Sequence, residues 1–171
     1  EGDSHGFLPV VESNLETIWN RDLVPYRFLI RDGIMAIMTG HVAYPTITGI
    51  KQQSSLVPFF QRKLLREQLG FTGVIITDDL EMAGALYGMD SPAIATIKAI
   101  EAGNDMVLIS HTPEWQEAAW KLSKEKMNSD STFHNYITES AYRIIKMKKK
   151  AFSDSPSAPI YPNSEEIDKI I

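Results

Sequence analysis

Three short apolar runs constrain this chain more than anything else in its sequence: Ile34 to Thr39, Val74 to Thr77 and Met106 to Ile109. They are nearly continuous and rich in branched side chains, as expected of strands buried on both faces of a parallel sheet. They recur at spacings of about 30 to 40 residues, with a helical pattern in each gap. Strands that alternate with helices in this way are βα units joined by right-handed crossovers, so the fold class is α/β. An open doubly wound sheet and a (β/α)8 barrel both satisfy the pattern. No G-x-G-x-x-G follows any run, so a dinucleotide-binding fold has no support. A complete barrel takes about 250 residues and eight strands; three strands in 171 residues cannot close one.

The segments between the runs carry helix punctuation. Residues 1–12 read as a loop broken by Gly2, Gly6 and Pro9. Ser13 and Glu16 form a capping box for a helix with Leu15, Ile18, Trp19 and Leu23 on one side, broken near Pro25 and resumed to about Arg31. Residues 40–55 read as a loop. Residues 57–69 read as an amphipathic helix with Phe60, Leu64, Leu65 and Leu69 toward the core and Gly70 at its C-terminus. Ser91 and Pro92 start a helix that Gly103 ends. Two more helices follow, from about Pro113 to Met127 and from about Ser131 to Lys150. The folded part is expected to span 1–152. The tail 153–171, rich in Ser and Pro, reads as a linker or extension.

Composition narrows the function classes. No apolar stretch approaches 18 residues, so no membrane span is expected, and Glu1 to His5 carry neither the basic nor the apolar part of a secretion signal. Without cysteine the chain has no disulfide or thiolate metal site. A net charge of −5 argues against a nucleic-acid partner. The basic run Lys146 to Lys150 reads as a solvated helix end that complements the dipole.

In parallel α/β folds the reactive groups sit at the C-terminal ends of strands. The second run ends in Thr77-Asp78-Asp79-Leu80-Glu81. A carboxylate at the tip of a buried strand is costly unless it is used or paired, so Asp78 is either a reactive group or a turn cap. Of Asp79 and Glu81, one is expected to bind loop amides and the other to face solvent. The three carboxylates match no known metal loop. His41 and His111 end the first and third runs; each is a rim candidate or a histidine hydrogen-bonded into its loop, as Glu81 is a rim candidate. His134 reads as a surface residue. Asp3-Ser4-His5 lets a carboxylate orient an imidazole, fix its tautomer and raise its pKa from about 6.5.

The stretch Lys63 to Met82, which reads KLLREQLGFTGVIITDDLEM, resembles the signature segment of the family-3 glycoside hydrolases. In that signature the aspartate after Ser or Thr is the catalytic nucleophile, here Asp78. AIMTGHVAYP, residues 36–45, is similar to the preceding strand and loop of the β-N-acetylhexosaminidase branch. Asp3-Ser4-His5 with Leu8-Pro9 is similar to that branch's mobile loop, in which the histidine is the general acid/base and the aspartate its partner. The resemblance covers about residues 1–150. It implies the C-terminal portion, about three βα units, of a (β/α)8 TIM-type barrel, with most of the sugar subsite supplied by an N-terminal half not contained in these residues. Pairing with that half, or self-association, is therefore expected.

The reaction implied is retaining hydrolysis that releases terminal β-linked N-acetylglucosamine from peptidoglycan or chitin fragments, through a covalent glycosyl-enzyme on Asp78 with His5 as acid/base. No metal or organic cofactor is needed. A bacterial cytoplasm or cell envelope is the implied setting. Because a neutral imidazole does not repel an anion, phosphate could replace water as the acceptor. The competing readings are a β-glucosidase or β-xylosidase of the same superfamily, which usually lacks the D-x-H loop, and a non-catalytic half-barrel assembly module. A metal-dependent lyase using Asp78, Asp79 and Glu81 is a third.

Overall fold

A computed structural model describes residues 3–153; of the expected linker, all but Ser153 lies outside the described residues. The chain begins with a loop and a short helix, α1 (Leu15–Thr17), that runs on as π-helical turns over Ile18–Asp22 and restarts as α2 (Val24–Arg31). Then come strand β1 (Ala36–Thr39), α3 (Pro45–Thr48), a 3-10 turn at Ser54–Leu56 and a π-wound helix at Phe59–Gln68. β2 (Val74–Asp79), α4 (Pro92–Ala102), β3 (Met106–Leu108), α5 (Pro113–Ser129) and α6 (Ser131–Phe152) complete the order.

The three strands form one parallel sheet in the order β1-β2-β3. β1 pairs with β2 in register, from Ala36 opposite Val74 to Thr39 opposite Thr77. β3 pairs with the other edge of β2, but the register slips by one residue between Ile76 and Asp79. The alternation of strand and helix is what the runs and their spacing predict. The expected burial on both faces is not met. β1 alternates, with Ile37 and Thr39 buried and Ala36 and Met38 exposed, and all three residues of β3 are only half-buried. Among the described residues, helices cover the face that carries Ile37 and Thr39 and leave open the face that carries Ala36 and Met38.

Three helical features differ from expectation. Asn14, not Ser13, caps α1: its side-chain oxygen accepts from the Thr17 amide at 2.8 Å, while the Ser13 hydroxyl accepts from Arg21. The helix at 59–68 winds with i to i+5 bonds, and at about 4.4 residues per turn Phe60, Leu64 and Leu69 fall on one line. The segment 40–55 is not wholly irregular, because Pro45 starts α3 and Ser54 starts the 3-10 turn. Gly70 and Gly103 end their helices with φ of +65° and +110°, a conformation L side chains rarely adopt.

The core divides on either side of the sheet's midline. Ile37, Ile75, Leu65 and Phe71 pack together under β1 and β2. Leu56, Leu80, Ala85, Ala95 and Ala99 pack under β2 and β3. At the starting end of the strands the buried Asp105 carboxylate accepts from the Ile75 amide at 2.8 Å and from Arg66 at 2.5 Å, with Arg143 at 3.5 Å. Arg66 also donates to the carbonyls of Phe71 and Gly73. That ionic knot fixes where β2 begins.

Candidate functional site

At the far end of β2 the slipped register coincides with the acidic pair. The Leu108 amide donates to the Thr77 hydroxyl at 3.1 Å instead of to a β2 carbonyl, and the Leu80 amide returns to the Leu108 carbonyl at 2.9 Å. Thr77, fully buried, thus fills a rung of the ladder with its side chain. Such irregularities re-aim a neighbouring side chain, and here the neighbour is Asp78. Its carboxylate is half-buried and accepts from the Asp79 amide at 2.8 Å.

Asp79 and Glu81 both bind amides, which corrects the expectation that one of them faces solvent. Asp79 accepts from the Glu81 amide at 3.0 Å and meets the His111 imidazole at 3.3 Å. Glu81 accepts from the amides of His111 at 2.7 Å and Thr112 at 3.3 Å. Hydrogen bonds from Thr112, then from His111, hold the Glu81 carboxyl below its usual pKa. The carboxylates therefore join the loop after β2 to the loop after β3. His111 remains 80% exposed at the mouth. Among the described residues no group of three or more His, Asp or Glu side chains is arranged to hold a metal.

His41 lies beneath the rim rather than on it. It is fully buried, with Nδ1 2.8 Å from the Ser55 hydroxyl and Nε2 3.0 Å from the Asp79 carbonyl. A carbonyl only accepts, so Nε2 carries the proton and Nδ1 accepts from Ser55. Burial pushes the His41 pKa down and keeps the ring neutral. The Ser55 carbonyl accepts from Asn104, whose side-chain oxygen accepts from the Thr39 hydroxyl at 2.8 Å. This buried chain of polar groups holds the tips of β1 and β2 together.

The Asp3–His5 pair forms as the spacing predicts. Asp3 accepts from His5 Nδ1 at 2.6 Å and from the His5 amide at 3.0 Å. The amide bond, followed by the side-chain bond, lowers the Asp3 pKa. The Asp3 hydrogen bond, then its charge, raises the His5 pKa, and the Asp78 charge adds to it. Nδ1 is thereby the donor to Asp3, which leaves Nε2 as the free nitrogen. The loop is anchored by Leu8, buried in the core, and by the Pro9 carbonyl, which accepts from the Ala43 amide at 2.8 Å. Its other end meets Gly84, whose amide donates to the Ser4 carbonyl at 2.9 Å. His134 is exposed on α6, away from these residues.

Sequence reading missed the roles of Thr77, Ser55, Asn104 and Gly84. Only Gly84 carried a local signal, a glycine close behind an acidic strand tip, where glycine often marks a close backbone approach.

Residues 1–147 match the family model described as the glycosyl hydrolase family 3 N terminal domain. The chain is 42% identical over 113 residues to a beta-hexosaminidase of Methylococcus capsulatus, covering 66% of this chain and 33% of that protein. It is 41% identical over 117 residues to a beta-hexosaminidase of Nitrosospira multiformis, covering 68% and 33%. Among solved structures, a glycoside hydrolase family 3 beta-N-acetylglucosaminidase from Paenibacillus sp. superposes with a TM-score of 0.86 at 31% identity, over 95% of this chain and 31% of that one. A beta-N-acetylhexosaminidase from Beutenbergia cavernae superposes with a TM-score of 0.77 at 28% identity, over 86% and 43%. The chain spans about a third of the length of the curated relatives it matches.

Proposed function

The chain belongs to glycosyl hydrolase family 3, and from that premise we propose that it carries the nucleophile and the acid/base of a retaining β-N-acetylglucosaminidase. The fold is α/β of the TIM-barrel type. In our reading residues 1–152 supply the last three βα units of that barrel, and the open face of the sheet is its interior. The observation that carries the proposal is the pairing of two devices: a bulged strand tip that presents Asp78, and a loop in which Asp3, 2.6 Å from Nδ1, favours the protonated form of His5 and aims the ring.

Asp78 attacks the anomeric carbon while imidazolium His5 gives its Nε2 proton to the leaving oxygen. The C–O bond to the aglycone breaks and a glycosyl ester on Asp78 forms. Neutral His5 then takes a proton from water, whose oxygen attacks the same carbon and releases Asp78. Asp3, ionised by its hydrogen bonds from His5, stabilises the imidazolium without taking its proton. The substrate class is a terminal β-linked N-acetylglucosaminide. Hydrolysis of a chromogenic β-N-acetylglucosaminide by this chain tests the reading. Activity that disappears in Asp78→Asn supports it, and undiminished activity in that variant removes Asp78 from the role. Preference for a β-glucoside or β-xyloside would reassign the substrate within the superfamily.

One observation favours a second reading, a half-barrel that serves for assembly. Ala36 and Met38 are exposed on the open face, Met38 at 54%, and among the described residues both outer strands present unpaired edges. Size-exclusion chromatography discriminates: a monomer at all concentrations dismisses it.

A further inference from the structure

Among the described residues, one hydrogen bond ties residues 3–7 to the rest of the molecule, from the Gly84 amide to the Ser4 carbonyl at 2.9 Å. The other bonds of this segment are internal. The amides of Gly6 and Phe7 return to the Asp3 carbonyl at 3.2 and 3.3 Å, and His5 returns to Asp3. They shape the turn without attaching it.

Gly84 lies buried beneath that turn. A Cβ there would stand 2.9 Å from the Ser4 carbonyl oxygen, 3.1 Å from the Phe7 carbonyl oxygen and 3.2 Å from Ser4 Cβ. The first two are backbone atoms of the loop that carries His5. Gly84 is not among the glycines with positive φ, so its own backbone accepts any residue. What requires glycine is the overlying loop. The platform under it is fixed, because Gln53 donates to the carbonyls of Ala85 and Tyr87, and Ala85 and Leu80 are fully buried. Ala85, beside Gly84, packs in one buried cluster with Leu80, two residues past Asp78, and the Asp78 charge acts on His5, so the loop that rests on Gly84 rests beside the strand tip.

We propose that Gly84 is the docking point that holds the His5 loop over Asp78, which makes it a positioning residue for the acid/base. This rests on the reading of Asp78 and His5 as the working pair. The bare backbone at 84 lets the loop sit down, and the single bond to Ser4 lets it lift away.

The chain has no cysteine, so a pair introduced by Ser4→Cys with Gly84→Cys meets no other thiol of the same molecule, and mass separates the internal bond from a glutathione adduct or a linked dimer. The Cβ separation of 3.2 Å is a few tenths of an ångström under the roughly 3.5–4.5 Å of a disulfide, so the lift that a Cβ at 84 forces brings the two sulfurs into bonding range, whereas in Gly84→Ala nothing holds the lifted loop. Incubation with oxidised glutathione is expected to give a monomer lighter by two hydrogens. In Gly84→Ala the amide at 84 is expected to exchange at least tenfold faster, with the melting temperature and the protection of β2 unchanged. Its kcat is expected to fall at least tenfold with KM within twofold. A cysteine pair that stays reduced overturns the proposal. So does an alanine variant with unchanged exchange or kcat, or one whose loss of protection spreads through β2. The disulfide decides the matter if the alanine variant does not fold. Neither disulfide nor exchange needs turnover, so a failure of the enzymatic reading shows separately, as undiminished hydrolysis in Asp78→Asn.

Discussion

Replacing His41 by alanine removes both hydrogen bonds that hold the tip of β2 from below. The Asp79 carbonyl and the Ser55 hydroxyl, each within 3.0 Å of the ring, lose their partner in a fully buried place. Each orphaned group costs roughly 1–3 kcal/mol, so the pair costs about 4 kcal/mol. For a chain of this size that corresponds to about 10 °C in melting temperature, at roughly 2–4 °C per kcal/mol. Circular dichroism melts read it directly. His41→Gln keeps an amide donor for Asp79 and is expected to recover about half. The pH dependence adds a second readout. Burial lowers the folded pKa of His41, so below about 6.5 the unfolded chain binds a proton that the folded chain refuses. The stability that the neutral ring provides is therefore present above pH 6.5 and is lost as pH falls toward the folded pKa. The glutamine variant lacks this term, so its stability falls less between pH 7 and pH 5. A loss under about 1 kcal/mol in the alanine variant, or an unchanged pH slope in the glutamine variant, would refute the account.

Thr77→Val removes the oxygen that completes the slipped ladder. Its urea midpoint should show a loss of about 1–3 kcal/mol, whereas Thr77→Ser keeps the hydroxyl and stays close to the parent. Asp105→Ala leaves Arg66 and Arg143 facing each other and strips the Ile75 amide of its acceptor. A loss of about 3–5 kcal/mol is expected, measured by the same denaturation. Asp3→Asn removes the charge and the strong acceptor that raise the His5 pKa. The imidazolium then persists to a lower pH than in the parent, so the descending limb of the kcat/KM profile moves down toward about 6.5. A limb that does not move excludes Asp3 as the partner of His5.

The strands, their alternation with helices and most helix termini were legible because each had a local cause. Branched apolar runs have one economical use, and Ser91, Gly70 and Gly103 cap the helices where their chemistry says they should. The Asp3–His5 pair was legible for the same reason, since its partners stand two residues apart. What could not be read depends on partners far along the chain. His41 is buried because Ser55 and Asp79 converge on it from positions 14 and 38 residues away. The bulge at Thr77 exists only against β3, 31 residues later. The exposed side of β1 escaped notice because the same residues, Ala36 and Met38, would read alike in a covered strand.

The Asp105 knot grips β2 at Ile75, and the carboxylate proposed to react stands three residues further on at Asp78. At about 3.3 Å per residue the two lie roughly 10 Å apart along a rigid strand. Drift in Arg66, Asp105 or Arg143 therefore alters how tenaciously the chain stays folded while sparing the reacting atoms. Variation around Asp78 can explore new sugars without loosening the anchor. One strand thus separates durability from evolvability, and a lineage can adjust either without first surrendering the other.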